Sequence, residues 1–461
     1  MEKNGIYEGT VVGLGTDGEG IINGEGATVF VPFCLVGEKI RYKVLKIKGG
    51  VAYGRAEEIL TPSPDRAKPV CPVFTRCGGC GLQHMKYSAQ LKFKRENVAR
   101  ALQKIGGITF PVSETVAWAS GYGYRNKLAL PIGTDGAGNT VVGFYAPHSH
   151  RIVPVSDCAI HPNWAKDVIN AVNEFAAKGN KGYDEGTGGG VLRHIVARKI
   201  GGKFIFALVA AKKIDVGFLV GALEKKFDGF TFLLNINREP VNVIFGKEWI
   251  TVKGDGFYSA KESGIEYRAG ADTFIQVNDD IREKLYKSAL DEAEEGAVAL
   301  DLYSGGGLLT AMLAKKCGAA YGIEVVKQAS ECADRLKEKN GLREKMFNVC
   351  GKVEEKISEI LKKTAGKKRI IVCDPPRKGM GRGVVNAIAA SDAEKIILIS
   401  CNPATLARDL GLISGTLTEK DGNLVKTDSP RSAYEINKIV PFDMFPQTKW
   451  AETLVVLSKK R

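Results

Sequence analysis

A single cysteine near the carboxyl end of the chain is a candidate nucleophile. Cys401 follows the apolar run 395–400 and precedes Asn402 and Pro403. Proline fits the first turn of a helix, so this spacing predicts a strand, a loop that contains Cys401, and a helix that begins near Pro403. The unpaired N–H groups and the dipole of a helix N-terminus favour the thiolate form. The pattern therefore indicates nucleophilic catalysis, with a merely accessible thiol as the alternative.

Three further patterns end other apolar runs in the same part of the chain. The turn Gly305-Gly306-Gly307 would let a ligand approach the backbone closely. Glu324, at the end of the next apolar run, is placed to accept hydrogen bonds from ribose hydroxyls. The segment Asp374-Pro375-Pro376-Arg377 holds its backbone extended, because proline delays the start of a helix. This combination suits a dinucleotide or S-adenosylmethionine, and an arginine in place of an aromatic residue argues against methylation of an amino group.

Closely spaced cysteines form a second candidate site. The set consists of Cys71, Cys77, Cys80 and Cys158. Its first three members have the spacing C-x5-C-x2-C among glycines, which is characteristic of metal or cluster binding, and four thiolates suit either zinc or a 4Fe-4S cluster. His84 and His161 are competing ligands. The other isolated cysteines are expected to be small buried residues: Cys34, Cys317, Cys332, Cys350 and Cys373.

The charge distribution favours a polyanionic partner. The chain has 461 residues and a formal net charge of +14, and residues 61–130 contain 11 basic and three acidic side chains. A surplus concentrated in one segment is typical of phosphate contacts. Four interleaved aromatic residues are expected to stack on bases: Tyr87, Phe93, Tyr122 and Tyr124. We therefore expect nucleic acid as the partner. Lys39, Arg41 and Lys43 share one strand face and extend this surface, with an ordinary solvated face as the alternative.

The elements that must position these residues fall into three regions. Residues 1–60 contain short strands with glycine turns, which predicts a small β-barrel. Residues 61–270 predict an α+β middle domain, with a helical excursion over about 86–115 that packs on the catalytic domain. Residues 271–461 alternate strands and helices, which predicts an α/β domain with an open, mostly parallel sheet.

Such a sheet binds ligands at the carboxyl ends of its strands, where the cysteine, glycine, glutamate and aspartate patterns would meet. No apolar run approaches the roughly 20 residues that a membrane-spanning helix needs. The amino-terminal residues lack the apolar segment of a signal peptide. We expect a cytoplasmic protein without membrane contact.

These motifs together resemble the RNA uridine-C5 methyltransferase family, specifically its members with an amino-terminal TRAM domain and an iron-sulfur cluster. The resemblance covers nearly the whole chain, and its last four motifs, in their order, are highly specific. The matching segments are 13–32, the four cysteines with Gln83-His84, 124–128, 274–278, 301–303, 374–377, 400–403 and 445–452.

The resemblance implies the fold and the roles of the site residues. It implies a TRAM (OB-like) barrel, a middle domain whose four cysteines hold a 4Fe-4S cluster, and a Rossmann-like S-adenosylmethionine-dependent methyltransferase domain. Cys401 would add to carbon 6 of the uracil and Glu452 would be the base that removes the carbon 5 proton. The residues implied to contact S-adenosylmethionine are Gln276, Tyr303, Glu324 and Asp374. The implied partner is RNA, with 23S ribosomal RNA preferred and transfer RNA possible, and no obligate protein partner is expected.

Two other functions compete with this interpretation. One is a methyltransferase that acts on protein or small molecules and carries a structural zinc. The other is a cluster-bearing RNA-binding protein on a degenerate methyltransferase fold, without activity. Neither accounts for Cys401 and Glu452 together.

Overall fold

The amino-terminal part of the protein is a six-stranded sheet with a core of its own. The structure is a computed structural model, and it describes residues 1–239, 243–427 and 429–460. The first six strands are β1 (Ile6–Thr10), β2 (Gly13–Leu14), β3 (Gly20–Gly24), β4 (Ala27–Val31), β5 (Lys39–Lys48) and β6 (Val51–Thr61). They lie in the order β1-β5-β6-β4-β3-β2. The strands expected over 1–60 are therefore present, whereas closure into a barrel stays a prediction.

The period-2 alternation of β5 decides which of its residues are buried. Ile40, Tyr42 and Val44 point into the core of this sheet. Arg41, on the opposite face, pairs with Glu8 and Glu58. Carboxylates of neighbouring strands thus neutralise part of the charge on the basic face of β5. This agrees with the alternative that the face is an ordinary solvated surface.

A helix crosses from the first sheet to the carboxyl-terminal one. Helix α1 (Tyr87–Ala101) continues into a π-helical turn (Leu102–Gly106) that packs against a helix of the last sheet. The helix was expected from periodicity, but its buried face is more polar than that pattern predicts. Leu91 is only partly buried, whereas Gln90 and Lys94 are fully buried.

The basic segment 61–130 therefore splits into a buried and an exposed part. Phe93 and Tyr124 are core residues, and the Tyr87 hydroxyl donates to Asp443. The expectation that Phe93 and Tyr124 stack on bases is wrong, because both rings are buried. Phe93 packs with Leu35, Leu82 and Met85, and the Tyr124 hydroxyl donates to the carbonyl oxygen of Pro446. The Tyr87 ring is half-buried, and its stacking on a base stays a prediction. The fully exposed cations of the segment are Lys68, Arg76, Lys86, Lys92 and Lys104.

The middle of the chain forms a mixed seven-stranded sheet. Its strands are β7 (Lys127–Thr134), β8 (Thr140–Tyr145), β9 (Ile152–Pro154), β10 (Leu192–Ile200), β11 (Lys203–Ala210), β12 (Thr231–Ile236) and β13 (Glu248–Lys253). They lie in the order β13-β12-β11-β10-β7-β8-β9. Phe206 and Leu208 of β11 pack in the same core as α2 (Trp164–Ala177) and α3 (Gly217–Glu224). Ile205 and Ala207 face the other way, into a core shared with the last sheet.

A hairpin and a helix lead from the middle sheet into the last one. The hairpin consists of β14 (Phe257–Glu262) and β15 (Ile265–Gly270), and the helix is α4 (Asp279–Asp291). Asn278 caps α4, because its side-chain oxygen accepts the backbone N–H of Ile281. The segment 271–278 therefore ends at a fixed point beside the last sheet.

The carboxyl-terminal part alternates strands and helices, as predicted. Its elements in chain order are β16 (Val298–Leu302), α5 (Leu308–Cys317), β17 (Ala319–Glu324), α6 (Lys327–Lys339), β18 (Met346–Cys350), α7 (Val353–Lys363), β19 (Arg369–Cys373), α8 (Arg382–Ala389), β20 (Lys395–Ser400), α9 (Pro403–Ile413), the hairpin β21 (Leu417–Lys420) and β22 (Asn423–Lys426), β23 (Tyr434–Phe442) and β24 (Glu452–Lys459).

The seven-stranded sheet of this region has the order β18-β17-β16-β19-β20-β24-β23. The first five strands are parallel, and β24 pairs antiparallel with both β20 and β23. From β16 the chain adds β17 and β18 on one side, and then β19 and β20 on the other side, so the strand order reverses between the neighbouring strands β16 and β19. At such a switch point the strand ends leave a crevice for a ligand. In the described part of the chain, no helix combines the length and apolar character needed to span a membrane.

Candidate active site

A cavity of about 750 Å³ lies at this switch point. The loops after β16 and β19 form one side of it, and the segment 273–276 forms another. Of the residues expected to contact a cofactor, the cavity is lined by Gln276, Tyr303 and Asp374. Glu324 is not among the lining residues.

The loop after β16 approaches the cavity in an unusual backbone conformation. Tyr303 has φ of +68°, which costs free energy for a residue with a side chain. Gly307 has φ of +79° and directly precedes α5, and a Cβ atom there would lie 2.6 Å from the Cβ of Ala333. The glycine at this position therefore permits close packing of the turn against α6.

The carboxylate of Glu324 fixes this same turn. One of its oxygens accepts the backbone N–H of Gly305 at 2.9 Å, and the other accepts that of Val326 at 2.7 Å. Each carboxylate oxygen has a second lone pair. Glu324 therefore stabilises the conformation of the glycine turn. Its expected hydrogen bonds to ribose stay a prediction.

Two residues of the middle sheet region hold the segment that carries Gln276. Asn126 Nδ2 donates to the carbonyl oxygen of Gln276 at 3.1 Å, and the backbone N–H of Asn126 donates to Val277 at 2.9 Å. Arg198 donates to the carbonyl oxygen of Thr273 at 2.5 Å. The motif 124–128 thus helps to shape the large cavity, because Asn126 holds the backbone of the segment that lines it.

Buried carboxyl groups concentrate at this edge of the sheet. Burial raises the pKa of Asp301 to about 7, and the negative charges of Asp374 and Glu324 add to the effect while the Thr310 hydroxyl opposes it. Burial also raises the pKa of Asp374. A cationic ligand in the cavity would stabilise the ionised form of both groups.

Cys401 and Glu452 come together because β20 and β24 are neighbours. Ser400 of β20 pairs with Thr453 of β24, and these two residues adjoin Cys401 and Glu452 in sequence. The charge of Glu452 acts on the Cys401 thiol. Glu452 is the first residue of β24 and is 4% exposed, and its Oε2 atom has no hydrogen-bond partner among the described residues. Cys401 is half-buried.

The helix after Cys401 begins as the sequence predicts. Pro403 is the first residue of α9, and Asn402 caps the helix by accepting the N–H of Ala404 at 3.1 Å. The helix N-terminus was expected to stabilise the thiolate of Cys401, but other effects are larger in the free protein. Burial, followed by the negative charge of Glu452, raises the pKa of Cys401 to about 11. The guanidinium of Arg377 opposes this shift.

Glu452 has a raised pKa for related reasons. Burial is the largest cause, the charge of Asp374 adds to it, and the positive charge of Arg377 opposes it. Asp374 thus faces the large cavity and also acts electrostatically on Cys401 and Glu452. The two groups of candidate residues therefore form one continuous site.

The four clustered cysteines line a second, smaller cavity of about 50 Å³. Its remaining wall is largely apolar, with Val73, Phe74, Phe144, Val155 and Ile160. Burial raises the pKa of Cys80 to about 11 and of Cys158 to about 12, and the neighbouring thiols contribute to both shifts. The donor set therefore fits a thiolate-bound group. Within the described residues, however, no three His, Cys, Asp or Glu side chains are grouped as ligands of one metal ion.

The competing histidines have other surroundings. His84 packs against Phe33 and Phe74, and His161 Nε2 lies 3.0 Å from the carbonyl oxygen of Lys127. Burial lowers the pKa of His84 to about 4 and of His161 to about 3. Both rings are neutral parts of the core.

Sequence patterns missed several features of the site. Cys332 was expected to be buried but lines the large cavity, and Cys350 is exposed, whereas Cys34, Cys317 and Cys373 are buried as expected. Phe274, which is 80% exposed, also lines the cavity. A further contact that the sequence did not indicate lies beside Cys401 and Glu452, where the Arg377 guanidinium is 4.8 Å from the ring centre of Trp450. The signal that could have identified Phe274 was its position as the aromatic first residue of the matching segment 274–278.

The order of the last sheet, the cavity at its switch point and the carboxyl groups around that cavity define an α/β protein of the methyltransferase type. The family model described as tRNA (uracil-5-)-methyltransferase matches residues 236–460. An uncharacterized RNA methyltransferase from Clostridium acetobutylicum is 34% identical over 100% of this chain and 98% of its own length. One from Listeria monocytogenes is 36% identical over 99% of this chain and 98% of its own.

A solved structure agrees with these sequence relatives. The tRNA (uracil-54, C5)-methyltransferase of Pyrococcus abyssi, in complex with S-adenosyl-L-homocysteine, is similar with a TM-score of 0.75 and 25% identity, over 98% of this chain and 99% of that one. The chain belongs to the RNA uridine-C5 methyltransferase family. The resemblance to this family is confirmed, whereas membership of its TRAM-bearing, cluster-containing group stays a prediction.

Proposed function

We propose that this protein transfers the methyl group of S-adenosylmethionine to carbon 5 of a uridine in RNA by covalent catalysis. The observation that carries the proposal is the pairing of Ser400 with Thr453, which brings the adjacent residues Cys401 and Glu452 to one edge of the sheet, where Asp374 also lines the large cavity. A nucleophile and a base within one buried site are what this reaction requires.

The large cavity suits S-adenosylmethionine in size and charge. Asp301 and Asp374 supply negative charge for the cationic sulfonium and ammonium groups, and Gln276 and Tyr303 line the same space. When bound, S-adenosylmethionine supplies a methyl group on a cationic sulfur. The Pyrococcus abyssi relative, solved with S-adenosyl-L-homocysteine, supports this assignment.

Cys401 activates the uracil ring. Carbon 5 of uracil is a poor nucleophile, so the Cys401 thiolate adds to carbon 6 and the electron pair of the 5,6 double bond moves toward carbon 5 and the carbonyl at carbon 4. Carbon 5 then forms a bond to the methyl carbon while the sulfur–methyl bond breaks, and its electron pair stays on the sulfur, so that S-adenosylhomocysteine would be left. Arg377 stabilises the thiolate, since its positive charge lowers the pKa of Cys401 against the effect of burial.

Glu452 completes the reaction by accepting the proton from carbon 5. The electron pair of the broken C–H bond restores the 5,6 double bond, and the bond between carbon 6 and Sγ breaks to release the thiolate. A base with a raised pKa holds the abstracted proton well at neutral pH, which fits the burial of Glu452. The target base must leave its stack to expose carbon 6, which favours a loop or a remodelled RNA segment.

We assign a 4Fe-4S cluster to the cysteine cavity on the family resemblance, and a zinc ion is the alternative. Zinc holds its sulfur ligands about 3.8 Å apart, since each Zn–S bond is about 2.3 Å in a tetrahedral site. In a 4Fe-4S cluster each thiolate binds a separate iron, so the sulfurs lie farther apart. All four cysteines line one cavity, which is compatible with either group. The cluster would stabilise the loops of this region.

The preferred substrate is 23S ribosomal RNA, because the resemblance is to members with a TRAM domain and a cluster. The exposed cations of the segment 61–130 would contact its phosphates. Transfer RNA is the second candidate, and the similarity to the tRNA (uracil-54, C5)-methyltransferase supports it equally. Mapping 5-methyluridine in ribosomal and transfer RNA of a strain that lacks the gene would decide between them.

A trapping experiment tests the chemistry. With RNA and S-adenosylmethionine, Glu452→Gln should accumulate a denaturation-resistant adduct between Cys401 and methylated RNA, since the amide cannot accept the carbon 5 proton. Cys401→Ser should form no adduct and no product. Full turnover by Glu452→Gln would reject the assignment of the base, and turnover by Cys401→Ser would reject covalent catalysis.

A further inference from the structure

The connection between β23 and β24 leads directly to the proposed catalytic base. It spans residues 443–451, and it contains no helix or strand. Asp443 follows Phe442, the residue whose Cα pairs with that of Glu452. The conformation of this connection therefore sets where β24 begins and where the Glu452 side chain enters the site.

The first residue of the connection takes part in a fully buried ion pair. Lys94 of α1 donates to Asp443 Oδ1, and neither side chain is exposed to solvent. The Tyr87 hydroxyl donates to the other carboxylate oxygen at 2.8 Å. Lys94 Nζ also donates to the carbonyl oxygen of Phe445 at 3.0 Å. One cation thus fixes two points of the connection.

The middle of the connection is held in the same way by residues near α1. Gln90 Nε2 donates to Gln447 Oε1 at 2.9 Å, and the backbone N–H of Gln447 donates back to Gln90 Oε1 at 3.1 Å. The backbone N–H groups of Gly81 and Leu82 both donate to the carbonyl oxygen of Gln447 at 3.0 Å. Gln447 has φ of +68°, so these bonds hold it in a conformation that costs free energy.

A buried ion pair such as Lys94–Asp443 need not by itself stabilise a fold. Two charges lose their hydration when they are buried, and a well-packed apolar pair is often as stable or more stable. A buried pair does impose directions and distances that apolar packing does not. Glu452 needs such an external constraint, since its Oε2 atom has no hydrogen-bond partner among the described residues.

We infer that Lys94 and Asp443 are positioning residues for Glu452: their buried ion pair fixes the 443–451 connection so that the carboxylate reaches the proton on carbon 5. The inference rests on the proposed function, in which Glu452 is the base. It assigns the pair to one step, removal of this proton, and to neither binding nor addition of Cys401.

The test compares adduct with product in Asp443→Asn. This change keeps the shape of the side chain and removes its charge. We expect the adduct between Cys401 and methylated RNA to accumulate about tenfold over the wild-type protein at unchanged KM for RNA, because the step that resolves it becomes slower. The control is Asp392→Asn, the same chemical change at an exposed residue that pairs with Lys459, which should behave as wild type.

Two further variants keep the inference falsifiable. Tyr87→Phe removes one hydrogen bond to Asp443 without leaving a buried charge, and should raise the adduct to an intermediate level even if Asp443→Asn folds poorly. In Glu452→Gln/Asp443→Asn, the adduct should match that of Glu452→Gln alone, since both changes affect one step. Equal losses of adduct and product in Asp443→Asn and Tyr87→Phe would show a merely structural pair. Absence of any adduct in Glu452→Gln would instead reject the proposed function itself.

Discussion

At the scale of single residues, the proposed nucleophile Cys401 is a protonated thiol at neutral pH in the free protein. Burial and the charge of Glu452 raise the pKa of Cys401, and Arg377 only partly offsets them. A free thiolate is prone to oxidation and alkylation, whereas a thiol is far less reactive. The resting protein therefore protects Cys401, and the thiolate must form when the uracil and its surroundings complete the site.

The first prediction concerns the alkylation of Cys401. At about pH 9 an ordinary thiol is largely ionised, but Cys401 should react with iodoacetamide at least tenfold more slowly because its pKa is about 11. Glu452→Gln should react faster than the wild-type protein, since loss of a negative charge lowers the thiol pKa. Peptide mass spectrometry of the Cys401 peptide measures both rates. Exposed Cys350 is the internal control, and equal rates for Cys350 and Cys401 would contradict this view.

The second prediction concerns the buried carboxyl groups of the large cavity. Asp301, whose pKa is about 7, is partly protonated at neutral pH in the free protein. A cationic ligand favours the ionised form, so affinity for S-adenosylmethionine should rise between about pH 6 and pH 8. S-adenosylhomocysteine lacks the sulfonium charge and should show a weaker dependence. Calorimetric titration measures both, and identical pH profiles for the two ligands would argue against the electrostatic role.

At the scale of elements, ion pairs join segments that are distant in sequence. Glu38 at the start of β5 is fully buried, and it accepts hydrogen bonds from Arg66 and from the backbone N–H groups of Leu35 and Ser63. Arg66 lies in the chain that leaves the first sheet. This pair anchors the linker to the sheet, so one cation that the charge count assigned to RNA contacts serves the fold instead.

The third prediction follows from this anchor. Arg66→Met leaves the Glu38 carboxylate buried without its cation, and breaking such a pair costs about 3 kcal/mol. Amide hydrogen exchange in β4 and β5 of the full chain should become roughly 100-fold faster, as that free energy implies. Arg55→Met, at an arginine that is 65% exposed, is the matched control and should leave the exchange unchanged. Unaltered exchange in Arg66→Met would show that the pair contributes nothing.

At the scale of the whole molecule, the segment between the first and middle sheets connects all parts of the protein. It carries three of the four clustered cysteines and helix α1, and it bonds to the connection before Glu452. Asp17 of the first region also pairs with Lys449 of that connection. The cysteine cavity, the first sheet and the active site therefore share one structural element.

The fourth prediction concerns the cluster that the four cysteines are proposed to hold. Protein purified without oxygen should be brown and contain about four iron and four sulfide per chain. Cys158→Ala should lose most of the iron and keep the fold of the carboxyl-terminal sheet, because Cys158 lies outside that sheet. Metal analysis and absorbance spectra provide the measurement. A colourless protein with one zinc per chain would overturn the cluster.

The α/β region could be predicted from the amino-acid sequence, since apolar runs that alternate with amphipathic helices have few other ways to bury their surface. The sequence also identified Cys401, Asp374 and the glycine turn, because residues that follow the strands of a parallel sheet meet at one edge. The family followed from short motifs whose order along the chain is specific.

Tertiary structure alone decided which charges and rings serve the fold. Period and composition treat Lys94, Phe93 and Tyr124 as surface groups of a basic segment, yet all three are buried. Only long-range packing reveals the partner, since Asp443 lies 349 residues from Lys94. The same holds for the raised pKa of Cys401, because burial and neighbouring carboxylates outweigh the local effect of a helix N-terminus, and both arise from contacts between distant parts of the chain.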